Sequence, residues 1–112
     1  MQSDDWLRGF LKEELAREGY QVDDAPDGQA ALDLLGAHEY DLMILDMVMP
    51  RKDGLNVLRE MKMTFPKPVT VMLSGCGDVH AVNNCIKEGA ADFLGLPCDF
   101  DEILETVQRL LT

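Results

Sequence analysis

Asp46 ends an apolar run, Leu42-Met43-Ile44-Leu45, and a turn-forming stretch with Pro50 and Gly54 follows it. A short apolar run bounded by polar and turn residues reads as a buried parallel strand. A carboxylate at its carboxyl end stands where open α/β sheets place their chemistry. A second polar group, Ser74, ends another apolar run, Val69-Thr70-Val71-Met72-Leu73, just before the loop Gly75-Cys76-Gly77. Two more carboxylates, Asp4 and Asp5, stand near the amino terminus. The other reactive types read as ordinary. Cys76, Cys85 and Cys98 are odd in number and none has CxxC spacing, so they predict reduced thiols and no metal site. His38 and His80 fall on predicted helix faces, far apart in sequence, and read as surface residues. The pair Asp23-Asp24 reads as solvated charge, Met47 and Met49 as packing beside Asp46.

These residues need elements to position them, and the chain alternates helix and strand. Asp4 or Asp5 is expected to cap a helix running to about Glu18, with Leu7, Phe10, Leu11 and Leu15 at helical spacing and Gly19 as its stop. Tyr20-Gln21-Val22 is expected to start a short strand. Asp27 caps a helix with Ala30, Ala31, Leu34 and Leu35 on one face, and the strand ending at Asp46 follows. Gly54 precedes a helix carrying Leu55, Leu58 and Met61, which Pro66 and Pro68 end. After the strand Val69–Leu73, Asp78 caps a helix with Val79, Val82 and Ile86, stopped by Gly89. Ala91–Leu94 is a short strand. Asp99 and Glu102 form a capping box on the last helix, whose stripe is Ile103, Leu104, Val107, Leu110 and Leu111. Alternation of this kind predicts a parallel sheet with helices on both faces. A doubly wound unit normally opens with a strand in mid-sheet, yet this chain opens with a helix.

Bulk properties agree with one packed domain over residues 1–112. Hydrophobic residues make up 46% of the chain, enough for a core. Lys and Arg number 10 against 21 Asp and Glu, a net charge of -11. That balance argues against direct nucleic-acid binding, which rests on neutralising phosphates. No apolar stretch is long enough to span a bilayer, and residues 1–5 have no signal-peptide pattern, so a cytoplasmic protein that meets protein partners is expected.

At this point the chain resembles the receiver domain of two-component response regulators. Asp41-Leu42-Met43-Ile44-Leu45-Asp46-Met47-Val48-Met49-Pro50 with Asp53-Gly54 is similar to the family's phosphorylation segment. Val71-Met72-Leu73-Ser74-Gly75 resembles the strand with its switch Ser or Thr, and Lys87 to Leu94 the segment with its switch aromatic. Gly77-Asp78-Val79 resembles receivers attached to enhancer-binding transcription activators. The likeness covers the chain from about residue 4. It implies an α/β, flavodoxin-like doubly wound sheet in the order 2-1-3-4-5, truncated at the amino terminus relative to the family and lacking its first strand.

The resemblance also implies roles. Asp46 is the phosphoacceptor and takes a phosphoryl group from a phosphohistidine. Ser74 bonds a phosphoryl oxygen. Phe93 is the switch aromatic. Mg2+ is held by Asp46, the Val48 backbone carbonyl and an acidic pair after the first strand. A lysine directly before the proline touches the phosphoryl group.

Two of these roles depart from the pattern. The lysine position is Leu96, in Leu94-Gly95-Leu96-Pro97. The acidic pair aligns with Gln2 and Ser3, leaving Asp4 and Asp5 as displaced substitutes. Mg2+ prefers octahedral oxygen ligands, so a weak site is expected. Phosphoryl transfer relies on positioning and charge neutralisation, and one such contact is often worth roughly 10²–10³ in rate. A missing apolar central strand would forgo on the order of 10 kcal/mol of burial, comparable to a domain's net stability. A homodimer, built by swapping or strand addition, or a rearranged sheet that closes the gap is the expected compensation. Alternatively, an upstream segment ending in an apolar run and Asp-Asp restores both features.

The leading expectation is a receiver module with an impaired phosphoacceptor, acting by protein contact through residues 79–111, including Val82, Ile86, Phe93, Ile103 and Val107. Its partner is a histidine kinase or another signalling protein. The alternative is a competent Mg2+-dependent receiver that regulates transcription through an output domain outside this chain. Neither is an enzyme. A phosphatase or mutase of the haloacid-dehalogenase type would need a second Asp at position 48, where Val48 stands.

Overall fold

The computed structural model describes residues 2–46, 54–65, 68–74, 79–95 and 99–112, with backbone alone at 2–5, 46, 54, 55, 74 and 79–82. Among them, five helices and three strands occur: α1 (Gln2–Arg17), α2 (Gly28–Ala37), β1 (Leu42–Asp46), α3 (Gly54–Thr64), β2 (Val69–Ser74), α4 (Val79–Lys87), β3 (Asp92–Gly95) and α5 (Phe100–Leu111). The strands run parallel in the order β1-β2-β3. The architecture is the α/β sandwich expected of the receiver fold.

Apolar residues alternate along each strand and so feed two cores. Leu45 of β1 and Met72 of β2 join Val57 and Leu58 of α3 and Cys85 of α4, with Leu32 of α2 and Phe93 of β3 packed against them. Ile44, Leu73 and Leu94 are next along each strand. They pack with Leu11 and Leu15 of α1 and with Ile103 and Val107 of α5. The sheet thus lies between α2, α3 and α4 on one face and α1 and α5 on the other. The period-2 alternation of strands assigns neighbours to opposite layers. Cys85 is a fully buried thiol, and burial pushes its pKa up. Thr70, also fully buried, donates its hydroxyl to Met61 Sδ at 3.3 Å.

Local signals hold in part. Asp27 Oδ1 accepts the Ala30 N–H at 2.9 Å and caps α2. Gly19 and Gly89 adopt φ of 97° and 110°, which fits the left-handed stops expected of them. The Leu7, Phe10, Leu11 and Leu15 stripe of α1 lies in one core.

Other expectations need correction. Asp4 and Asp5 do not cap α1: the helix already includes Gln2, so both stand inside its first turns. Asp99 is the N-cap of α5 without a side-chain bond; its carbonyl accepts the Glu102 N–H at 3.1 Å. The α5 stripe ends early, since Leu111 is 38% exposed while Ile103 and Val107 are buried. The last strand runs Asp92–Gly95, shifted by one residue.

Tyr20-Gln21-Val22 belongs to no strand. A strand requires a hydrogen-bonded neighbour, and the element that would lie between residues 20–26 and β1 is not among the described residues. Nor does the sheet rearrange to close this gap: a cavity of about 800 Å³ remains there. The expected Asp78 cap, Cys76, Cys98, Met47 and Met49 lie outside the described residues, as does the His80 side chain; His38 is exposed, as expected.

Candidate functional site

Three strand ends define the site. In the ladder Asp46 is the partner of Leu73, and Ser74 is the partner of Gly95. Asp46 is the last residue of β1 and Ser74 the last of β2. Adjacent strands in a sheet lie about 4.8 Å apart. The register therefore brings the backbone of both residues to one edge, the carboxyl edge, where α/β folds open a crevice. Val48 and Leu96 follow β1 and β3 in the chain and lie outside the described residues.

Aromatic packing shows where α1 enters this edge. Trp6 stacks on Phe10 with ring centroids 5.2 Å apart and planes 9° from parallel. Phe10 meets Phe100 edge-on at 5.9 Å. Phe100 is the first residue of α5, which follows the carboxyl end of β3. The amino-terminal part of α1 thus lies toward the same edge as Asp46, and Asp4 and Asp5 immediately precede Trp6 in that helix. Trp6 is 68% exposed beside this edge. The sequence signal for the stack was the spacing of two aromatics four residues apart on one helix.

Phe93 lies in register with Met72 and packs, partly buried, against the core of Leu45, Val57 and Leu58. It faces the layer of α2, α3 and α4. At the start of the same strand, Asp92 Oδ2 accepts from Arg109 of α5 at 2.6 Å.

Asp23 and Asp24 are exposed, as expected of solvated charge, and each also has a side-chain partner. Asp24 accepts from Arg8 Nε and Lys12 Nζ of α1, each at 3.1 Å. The Lys12 bond, with its charge and that of Arg8, holds the Asp24 carboxyl below its usual pKa despite partial burial. Asp23 accepts the Tyr40 hydroxyl proton at 2.7 Å. Desolvation, then the Asp23 carboxylate, pushes Tyr40 up to about 12. These bonds tie residues 20–26 to α1 on one side and to the start of β1 on the other. They position the frame of the site, and sequence spacing carried no signal for them because the partners are 12 to 17 residues apart.

Comparison with known proteins converges on one family. The model of the response regulator receiver domain matches residues 2–108. The response regulator ArlR of Staphylococcus aureus is 33% identical over 105 residues, which cover 94% of this chain and 48% of that protein. The chain thus spans about half the length of the curated relatives it matches. The receiver domain of NtrX from Brucella abortus superposes with a TM-score of 0.87 at 31% identity, covering 94% of this chain and 89% of that one. A response regulator from Burkholderia pseudomallei, solved with a phosphorylated aspartic acid, a calcium ion and citrate, superposes at 0.83 with 25% identity over 94% of this chain and 66% of that one.

Proposed function

The chain belongs to the response regulator receiver domain family, and from that premise we propose that it is a two-component signalling module whose phosphoacceptor, Asp46, is impaired. One observation carries the reading: Asp46 and Ser74 end adjacent strands at one edge, while the position that should bring a cation there is Leu96.

The chemistry follows from those residue types. An Asp46 carboxylate oxygen attacks the phosphorus of a phosphohistidine on a partner kinase. The P–N bond breaks and its electron pair returns to the imidazole. The Ser74 hydroxyl donates to a phosphoryl oxygen and orients the group. Asp46, the Val48 carbonyl and Asp4 or Asp5 would hold Mg2+, which when bound supplies charge neutralisation at the phosphoryl oxygens. Leu96 offers neither charge nor a donor, so the transferring group loses one contact of a kind worth roughly 10²–10³ in rate.

Signal output then rests on protein contact. On the α4, β3 and α5 elements, Ile86 is 47% exposed and Phe93 is partly buried. With its net charge of -11 the chain itself is unsuited to bind nucleic acid. No helix among the described residues is long and apolar enough to cross a membrane. A cytoplasmic protein that is a substrate of a kinase, and no enzyme itself, fits these properties.

A second reading, a competent receiver controlling transcription through an output domain, draws support from the placement of Asp4 and Asp5 toward the Asp46 edge and from the longer ArlR. Phosphodonor labelling separates the two. Acetyl phosphate with Mg2+ should label Asp46 slowly, faster in Leu96→Lys, and not at all in Asp46→Asn. Rapid labelling that Leu96→Lys leaves unchanged supports competence. No label at Asp46 under saturating phosphodonor sinks the competent reading and leaves a module that acts by protein contact alone.

A further inference from the structure

We propose that the outer face of α1 pairs with α1 of a second copy of this chain, antiparallel and crossing at Gly9. Residues 6, 9, 10 and 13 stand at i, i+3, i+4 and i+7 and so share one stripe of the helix. Leu7, Leu11 and Leu15 of the same helix pack into the core. The stripe faces outward: Trp6 is 68% exposed, and Gly9 and Glu13 are exposed beside it. A surface recess of about 540 Å³ is lined by Trp6, Gly9, Phe10, Lys12 and Glu13.

Gly9 stands in the middle of a 16-residue helix, where glycine is a poor choice because it surrenders the most backbone freedom. A Cβ at this position would meet nothing within 4 Å, so packing inside the chain does not call for its absence. What a missing side chain does permit is close approach of another backbone from outside. Trp6 and Phe10 flank the spot as a stacked pair, 5.2 Å apart and 9° from parallel, and Phe100 of α5 meets Phe10 edge-on at 5.9 Å. A large aromatic surface held in place beside an open backbone is a preformed contact, since little side-chain freedom is lost on binding.

The occupant follows from the symmetry of the pattern. In a two-fold pair the same patch serves both sides, so the patch must be its own complement. Trp6 stands three residues before Gly9, and Lys12 and Glu13 stand three and four residues after it. An antiparallel crossing at Gly9 therefore sets each Trp6 against Lys12 and Glu13 of the other copy. The ammonium suits the indole face and the carboxylate suits the indole N–H. The contact occurs twice and draws both charges from one recess. A partner selected by the chain's net charge of -11 would instead be basic, and Lys12 on the recess opposes it. Two helices of about 24 Å bury a small area, which places the pair in the weak, transient class.

Trp6 is the only tryptophan of the chain, so its emission reads the contact directly. With the whole chain, sedimentation equilibrium should show a monomer–dimer equilibrium. Over the same concentrations Trp6 emission should shift to the blue and become less quenchable by acrylamide. Two copies of net charge -11 repel. Raising the salt from about 0.1 M to 1 M shortens the Debye length from about 10 Å to 3 Å and should tighten the dimer roughly threefold. Gly9→Leu favours the helix but fills the crossing point, so it should weaken dimerisation at least tenfold with the fold retained in circular dichroism. A chain that stays monomeric to millimolar concentration overturns the proposal. So does a dimer that leaves Trp6 emission unchanged, that Gly9→Leu does not weaken, or that loosens as salt rises. The emission and salt series on the natural chain decide the matter even if Gly9→Leu does not fold.

Discussion

Asp46 and Ser74 end adjacent parallel strands one register step apart, because Asp46 pairs with Leu73. This offset brings the backbones of two residues far apart in sequence to one edge of the sheet. On the proposed reading, the chemistry at that edge depends on which cation joins them.

Leu96→Lys should raise the rate of phosphodonor labelling at Asp46 by roughly 10²–10³, the worth of one preorganised charge contact. Single-turnover labelling with Mg2+ present measures it. The gain should vanish in the double variant with Asp46→Asn.

Leu58 is fully buried between α3 and the sheet, whereas Met63 on the same helix is 87% exposed. Leu58→Ala should cost about 2–5 kcal/mol through lost burial and a residual cavity. Met63→Ala should stay within about 0.5 kcal/mol. Urea midpoints at unchanged m-value report both.

Gly89 turns the chain from α4 toward β3 at φ of 110°, and a Cβ there would lie 2.8 Å from Lys62 Cε. The lysine chain can move aside, but the backbone cannot relax without disturbing the turn. Gly89→Ala should destabilise by roughly 1–2 kcal/mol. Adding Lys62→Ala should recover only the steric part, which a double-mutant cycle separates.

Asp24 joins α1 to the following segment through Arg8 and Lys12. Its folded pKa lies below the ordinary carboxylate value of 3.8, so its contribution is present above that value and is lost as pH falls through the lower folded one. Asp24→Asn should therefore lower stability by on the order of 1 kcal/mol at neutral pH, and the gap should narrow in acid and in high salt. Thermal melts over a pH series check this.

Desolvation and the Asp23 carboxylate push the Tyr40 hydroxyl from its ordinary 10.0 up to about 12. Because the folded value is raised, its contribution is complete below pH 10 and is lost as pH climbs through 12. Ultraviolet titration of phenolate absorbance should show a late-ionising component near 12 that Tyr40→Phe removes. In Asp23→Asn that component should move downward, since one of its causes is gone.

Sequence patterns alone determined much of this protein. Helical spacing in residues 7–15 and 103–107 named one core face, and the apolar runs ending at Asp46 and Leu73 named the two strands that matter for chemistry. These are local properties, and burial of a periodic apolar face dictates them. Asp27 and the glycines at 19 and 89 were legible for the same reason, since each acts within one turn of the chain. The register that makes neighbours of Asp46 and Ser74 was not legible, nor was the clasp of Asp24 on Arg8 and Lys12, because both depend on residues far apart in sequence. The tertiary structure also decided the fate of Tyr20-Gln21-Val22. An extended segment becomes a strand only when a neighbour shares its hydrogen bonds, and here the place of that neighbour is a cavity along β1.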